Sequence, residues 1–143
     1  MCGIFGTTFR YSREVVEHKL ELMNFRGPDY TGIKEFDAGS DKKLTLGHVR
    51  LSILDLDARS NQPFIYNENI SIVFNGEIYN YMELKSQYLS DAILRTTSDT
   101  EVICAMYEKF GAVCVNYLNG MFAYVIYDRK NNILVGARDR LGK

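Results

Sequence analysis

Residues 70–80 read ISIVFNGEIYN, in which an apolar run meets an Asn-Gly pair and then a polar segment. A short apolar run that ends at turn-forming residues is typical of a buried strand. We therefore predict a strand over 70–75 that stops at Asn75-Gly76. A helix from about 80 to 89 is predicted to follow it.

The segments on either side of this run carry further strand signals, which are short β-prone runs bounded by polar turn residues. The predicted strands cover residues 2–9, 31–37, 44–54, 121–128 and 132–138, with a polar turn at 38–43 and a loop at 55–63.

Two other segments have helical patterns. Val16, Leu20 and Met23 form an apolar stripe that predicts a helix over 14–24. Ser98 and Glu101 have the spacing of a capping box, in which the serine accepts from the N–H three residues on and the glutamate reaches back. The helix that they start is predicted to end at Gly111. Helices among about seven strand candidates predict an α+β layered fold built on antiparallel sheet.

Composition limits the classes of function. A chain of 143 residues that is 46% hydrophobic can bury one core, so we expect one domain. A net charge of −1 argues against nucleic acid or an anionic membrane as the partner. The sequence has no apolar run long enough for a membrane span and no basic leader, so a cytoplasmic location is expected.

The cysteines and histidines make a disulfide framework or a metal site improbable. Three cysteines without a C-x-x-C pair and two histidines do not form a zinc or disulfide pattern. Cys104 and Cys114 fall in or just past an apolar helix, and we interpret them as inert core thiols.

Cys2 is one peptide bond from the start of the chain, where a predicted strand would anchor it. A nucleophilic thiol needs a base, but His18 lies among glutamates on a predicted exposed helix face and His48 lies within a strand. If Met1 is removed, Cys2 carries an α-amine whose pKa is roughly 7.7–8.0, so nucleophile and base would belong to one residue. The alternative is that Cys2 is an ordinary terminal residue.

Seven short motifs occur along the chain in a characteristic order: CGIFG at 2–6, RGPD at 26–29, RLSI at 50–53, NGEIYN at 75–80, SDTE at 98–101, GMFA at 120–123 and RDRLG at 138–142. Together they closely resemble the N-terminal glutaminase domain of glutamine-hydrolysing asparagine synthetases. That domain is a class II glutamine amidotransferase of the N-terminal-nucleophile hydrolase type. The resemblance covers nearly the whole chain.

The resemblance implies catalytic roles for three residues. Cys2 is the expected nucleophile, and the family's oxyanion hole maps onto the side-chain amide of Asn75 and the backbone N–H of Gly76. A Cβ at Gly76 would keep the backbone from approaching the substrate. The other interpretation of Asn-Gly is a simple turn.

Free glutamine carries a carboxylate and an ammonium, which need partners of opposite charge. Arg50 can bind the carboxylate with two parallel hydrogen bonds, and Asp99 and Glu77 suit the ammonium. The alternatives are an exposed strand charge for Arg50 and a helix-dipole residue for Asp99. By resemblance, the backbone of Leu51, Ile53 and Leu54 also lines this pocket.

Three residues are candidates for supporting roles. Arg26 and Asp29 bracket a Gly-Pro turn, and we interpret them as loop-shaping residues. His48 shares a strand face with Arg50, and it either supports the site or is a satisfied structural histidine.

The resemblance implies a four-layer α-β-β-α sandwich of two antiparallel sheets, with Cys2 at the end of a central strand. The whole of 1–143 is expected to be a glutaminase domain that is incomplete at its C-terminus. A missing following segment would leave a sheet edge exposed. With Met1 retained, we expect an unprocessed precursor with little glutaminase activity.

The expected reaction is hydrolysis of glutamine through a Cys2 thioester, with ammonia passed to a synthetase domain that is absent from this chain. No cofactor is expected here, whereas ATP and Mg are expected in the synthetase module. The expected partners are L-glutamine and that module, and a homodimer stays open.

Three alternatives remain. Glucosamine-6-phosphate synthase and the phosphoribosyl amidotransferase share the Cys2 chemistry but are expected to differ at the RGPD and NGEIYN positions. These residues do not distinguish an asparagine synthetase from a homologue that amidates a sugar acid. From another class, the chain could be a non-catalytic relative that binds glutamine or a partner domain.

Overall fold

Two antiparallel sheets stack face to face at the centre of the protein. The computed structural model describes residues 1–39 and 42–142. Within these residues the first sheet has the strand order β1-β3-β2 and the second has the order β4-β5-β6-β7. The strands are β1 (Gly3–Thr7), β2 (Tyr30–Asp37), β3 (Lys43–Arg50), β4 (Phe64–Ile65), β5 (Ile70–Ile78), β6 (Gly120–Asp128) and β7 (Ile133–Arg138).

Helices cover the outer face of each sheet. The first sheet is covered by α1 (Arg13–Glu21), and the second by α3 (Asp99–Phe110), against which α2 (Tyr81–Tyr88) packs. Short 3-10 segments span Asn24–Arg26, Ala58–Ser60 and Gly111–Tyr117. This arrangement confirms the predicted four-layer α-β-β-α sandwich.

Three buried apolar clusters correspond to the three junctions between layers. Val16 and Leu20 of α1 pack on Val49 of β3. Because side chains alternate along a strand, Leu44 and Leu46 of β3 point the other way and meet the second sheet. The largest cluster lies between the second sheet and α3, and includes Ile72, Phe74, Ile103 and Met106.

Several predicted bounds are wrong because pairing across the sheet decides where a strand ends. β5 does not stop at Asn75-Gly76 but continues to Ile78, since β6 pairs with it along its full length. β3 ends at Arg50, so residues 51–54 leave the sheet. Of the turn predicted over 38–43, Ser40 and Asp41 lie outside the described residues.

Two further expectations need correction. β1 pairs with β3 alone among the described strands, so Cys2 precedes an edge strand and β3 is the central one. Ser98 caps α3 through the N–H of Thr100, while the Glu101 carboxylate reaches past it to Arg95 and Thr96. The helix still begins and ends where the sequence predicts, with Gly111 at its end.

His48 joins the two sheets. Its Nε2–H donates to the carbonyl of Phe74 on β5 at 3.1 Å, and its Nδ1 has no hydrogen-bond partner in the described chain. The side chain is fully buried. Burial lowers the pKa of His48 to about 4, so the imidazole is neutral in the folded protein at pH 7.

This pKa makes the free energy of unfolding depend on pH. The unfolded state binds a proton at His48 below its ordinary pKa of 6.5, but the folded state does so only near 4. As the pH falls from 6.5 towards 4, the neutral His48 therefore contributes less to the free energy of unfolding. The loss is about 2 kcal/mol between pH 7.5 and pH 5. Urea unfolding of the protein and of His48→Gln, whose amide still donates to Phe74, should show a steeper pH dependence for the wild type. Equal slopes would contradict this role for His48.

Candidate active site

A cleft of about 170 Å³ opens where several chain segments meet: the start of the chain, the end of β3, the middle of β5 and the start of α3. Every residue that the sequence assigns to catalysis or substrate binding lines it: Cys2, Arg50, Leu51, Ile53, Leu54, Asn75, Gly76, Glu77 and Asp99. Met1, Ser60, Gln62, Phe74, Ser98, Thr100 and Met121 complete the lining. The fold thus brings together residues that are far apart along the chain.

The Cys2 thiol is held at the wall of the cleft, although it lies at the chain terminus. Leu51 N–H donates to its Sγ at 3.3 Å, and the thiol points to the carbonyl of the same residue at 3.6 Å. Arg26 Nε donates to the Cys2 carbonyl at 2.9 Å, and the next residue, Gly3, pairs with Val49. These contacts fix the position of the sulfur atom.

The turn that contains Arg26 and Asp29 also holds the segment after β3. Asp29 Oδ2 accepts from Ser52 N–H at 2.7 Å, and Asp29 N–H donates to the Arg50 carbonyl at 3.0 Å. Neither Arg26 nor Asp29 lines the cleft. The turn therefore contacts both the Cys2 segment and the cleft wall beside it.

Arg50 is buried, so the interpretation as an exposed strand charge is wrong. Its Nη1 donates to the Asp57 carbonyl and to Asn61 Oδ1, and its Nη2 donates to the carbonyls of Leu54 and Asp55. A guanidinium has five N–H donors, which leaves Nε–H for other partners within the described residues. A carboxylate that binds both terminal nitrogens must displace some of these loop acceptors.

Asn75 and Gly76 lie in the middle of β5, opposite Ala123 and Phe122, so the turn interpretation of this pair is wrong. Asn75 Oδ1 is buried and has no hydrogen-bond partner among the described residues. Gly76 has a φ of +148°, and a Cβ there would lie 2.1 Å from the carbonyl oxygen of Met121. Glycine is therefore required here because strand β6 lies so close. The sequence had instead suggested that the close approach of the substrate requires it.

Two carboxyl groups lie on another wall of the cleft. Asp99 begins α3, and its Oδ2 accepts from Ile78 N–H at 2.9 Å. Burial, together with the nearby charge of Glu77, raises the pKa of Asp99 to about 6. Burial also raises the pKa of Glu77. A cation in the cleft would relieve this cost because it favours the ionised carboxylates.

His48 does not line the cleft, but the Phe74 carbonyl that it binds belongs to the residue before Asn75. Other residues near the cleft were missed by sequence reasoning. Asn61 binds Arg50, Gln62 Oε1 accepts from Phe74 N–H at 2.6 Å, and Asp55 binds Thr97. Polar residues in a loop give no sequence signal of these long-range contacts.

Two searches of the described residues were negative. In residues 1–39 and 42–142, no group of three or more His, Cys, Asp or Glu side chains is placed to hold a metal ion. The helices over the same ranges are too short or too polar to cross a membrane.

Two stacked antiparallel sheets between helical layers are the architecture of the N-terminal-nucleophile hydrolase fold. A similar solved structure is that of glutamine phosphoribosylpyrophosphate amidotransferase from B. subtilis, complexed with ADP and GMP. The match covers 90% of this chain and 35% of the amidotransferase chain. The TM-score is 0.69 and the sequence identity is 21%, so the match establishes the fold.

The chain belongs to the glutamine amidotransferase domain family, whose family model matches residues 1–143. It is 41% identical to a putative glutamine-hydrolysing asparagine synthetase of Methanocaldococcus jannaschii over 99% of this chain. It is 39% identical to the amidase chyE of Penicillium rubens over 93% of this chain. The chain spans 30% and 19% of the lengths of these two relatives.

The contact between Gly76 and β6 predicts the effect of adding one methyl group. Gly76→Ala should lower the free energy of unfolding by about 3 kcal/mol or more, because the Cβ meets strand backbone that cannot move away. Gly136→Ala in β7 is the matched control, since the nearest atom to its Cβ is 3.8 Å away. Urea unfolding of both variants tests this, and an equal effect of the two substitutions would contradict it.

Proposed function

We propose that this chain hydrolyses the side-chain amide of L-glutamine to glutamate and ammonia through a thioester on Cys2. One observation carries the proposal: the Cys2 thiol, the Asn75-Gly76 pair and the Asp99 carboxylate line the same cleft. A nucleophile, oxyanion donors and a partner for the substrate ammonium are what this reaction needs in one place.

The base that activates Cys2 is the α-amine that Met1 removal exposes. Both histidines of the chain are unsuited, because His18 is exposed on α1 and His48 is buried outside the cleft with a pKa of about 4. The amine accepts the thiol proton as Sγ bonds to the amide carbon, and donates it to the departing nitrogen, which leaves as ammonia. Water then attacks the thioester and releases glutamate with the thiol restored.

Asn75 and Gly76 are the proposed oxyanion donors. As the amide carbon becomes tetrahedral, its oxygen gains negative charge, which the Asn75 side-chain amide and the Gly76 N–H stabilise. The Gly76 N–H belongs to the backbone of a paired strand, so its position is fixed before substrate binds, and the Asn75 side chain extends from the same strand. Preorganised donors stabilise the transition state without a reorganisation cost.

The two ends of free glutamine are proposed to bind opposite charges on different walls. Asp99 and Glu77 receive the ammonium, and the Arg50 guanidinium attracts the carboxylate. Since its terminal nitrogens bind the 54–61 loop, we propose that Arg50 acts through Nε–H, together with the backbone of Leu51, Ile53 and Leu54. This differs from the two parallel hydrogen bonds to the carboxylate that the sequence led us to expect.

The ammonia is proposed to serve an ATP- and Mg-dependent amidation of the asparagine synthetase kind, on a module outside this chain. The similarity to the M. jannaschii relative supports this use. A sugar-acid acceptor stays the alternative, since the acceptor would bind on that module. A cytoplasmic location stays a prediction from the sequence.

Replacement of the thiol tests the nucleophile. Cys2→Ala should lower glutamate release by at least about 1000-fold while retaining glutamine binding, because only the covalent step is lost. Cys104→Ala is the matched control, since its thiol is buried in the core away from the cleft. Mass spectrometry of the N-terminus should show Met1 removed in active protein and retained in inactive protein. Unchanged glutamate release by Cys2→Ala would refute the mechanism.

The raised pKa of Asp99 predicts a pH dependence of glutamine binding. An ammonium needs the ionised carboxylate, so the Kd of Cys2→Ala for glutamine should rise as the pH falls below about 6. Glutamine itself keeps both charges over roughly pH 4.5–7. Calorimetry should show a tenfold rise in Kd per pH unit at the acid end. Asp99→Asn should abolish this rise, and Glu77→Gln should move it to lower pH, since the charge of Glu77 contributes to the raised pKa of Asp99. A flat profile in the Cys2→Ala protein would exclude Asp99 as the ammonium partner.

A further inference from the structure

The segment from Leu51 to Gln62, here called the strap, connects β3 to β4 and forms one wall of the cleft. Leu51, Ile53, Leu54, Ser60 and Gln62 line the cleft from this side. The start of α3 lines it with Ser98, Asp99 and Thr100. The spacing between these two walls sets the room that a bound amino acid has between them.

One side chain of the strap is hydrogen-bonded to the segment before α3. Asp55 Oδ2 accepts from Thr97 N–H at 2.8 Å and from Thr97 Oγ1 at 3.2 Å. Across the described residues these are the hydrogen bonds that join the strap to residues 95–100. Thr97 precedes Asp99 by two residues, so the contact lies beside the proposed ammonium partner.

The strap holds the Asp55 carboxylate in place for this contact. Its Oδ1 accepts from Asp57 N–H at 3.3 Å, and Arg59 Nη2 lies 3.2 Å from its Oδ2. The side chain is 3% exposed. Burial alone would raise the pKa of Asp55, but the hydrogen bonds from Thr97 and Arg59 outweigh it and lower the pKa to about 2. The group is therefore a charged acceptor throughout the pH range of an enzyme assay.

Asp55 also has a backbone conformation that few residues adopt. Its φ is +42°, a region in which aspartate and asparagine are enriched among residues other than glycine. The backbone carbonyl of the same residue accepts from Arg50 Nη2. The residue thus connects three parts of the protein: the end of β3, the strap and the start of α3.

We propose that Asp55 is a positioning residue for glutamine binding, which fixes the strap to the start of α3 and so sets the distance between the carboxylate and ammonium subsites. The inference rests on the proposed function. Asp55 does not line the cleft, so it acts through the strap backbone and Asp99. Without the contact, glutamine must order the strap when it binds, and that conformational entropy weakens binding.

Glutaminase kinetics separate this role from catalysis. Asp55→Gly, in which the backbone still tolerates a positive φ, should raise the KM for glutamine about tenfold while kcat changes less than about threefold. Asp55→Asn keeps an acceptor and the backbone preference, and should restore most of the affinity. Leu56→Gly is the matched control for added flexibility, because the Leu56 side chain lies on the strap, is 75% exposed and does not line the cleft. Its KM should stay within about threefold of the wild type.

A double-mutant cycle tests the specific contact. Thr97→Val removes the hydroxyl but keeps the N–H, so its KM should lie between those of the wild type and Asp55→Gly. Addition of Thr97→Val to Asp55→Gly should change KM no further, since the acceptor is already absent. Fully additive effects would overturn the pairing.

Amide hydrogen exchange gives a readout that does not depend on turnover. The Thr97 amide should exchange at least about tenfold faster in Asp55→Gly than in the wild type, and at the wild-type rate in Leu56→Gly. An unchanged KM in Asp55→Gly, or an unchanged Thr97 exchange rate, would overturn the inference. If the wild type releases no glutamate, the proposed function fails, and the exchange rates alone decide whether Asp55 fixes the strap.

Discussion

The buried guanidinium of Arg50 is the constraint around which the cleft is built. A charged group removed from water is costly unless most of its donors are hydrogen-bonded, and no carboxylate pairs with Arg50 within the described chain. The strap supplies neutral acceptors, through three backbone carbonyls and the side chain of Asn61. To reach the guanidinium, the chain must leave β3 at Arg50 and fold over it. The wall of the cleft is therefore a consequence of how one arginine is hydrogen-bonded.

The same wall fixes the Cys2 thiol, which is the proposed nucleophile. Leu51, the first residue after Arg50, directs its N–H at the Cys2 sulfur, while Arg26 holds the Cys2 carbonyl. A terminus would otherwise fray, since a residue before an edge strand has few partners. Here the terminal residue is attached to two segments that are themselves packed. In the proposed mechanism, the α-amine that Met1 removal exposes acts as the base while these contacts hold the sulfur atom beside it in position.

The fold class was predictable because it depends on local patterns, and the motifs in order picked out residues that line one cleft. The stripe in α1, the ends of α3 and the β6–β7 hairpin follow from sequence periodicity and turn residues. The continuation of β5 through Asn75-Gly76 did not, since an Asn-Gly pair locally favours a turn and pairing with β6 overrides it. The Glu101 carboxylate likewise bypasses the capping box for Arg95 and Thr96, which are closer in the folded protein.

The sequence by itself determined which chemical groups the cleft contains, namely the Cys2 thiol, the Asn75 amide and the Asp99 carboxylate. It also determined the family, because the motifs and their order are local properties of the chain. Only the tertiary structure decided the contacts that surround these groups. Arg50 donates hydrogen bonds to the strap, Asp55 accepts hydrogen bonds from Thr97, and Gly76 lies close to the Met121 carbonyl. Each of these contacts joins residues whose proximity arises from packing, so no local pattern in the sequence encodes it.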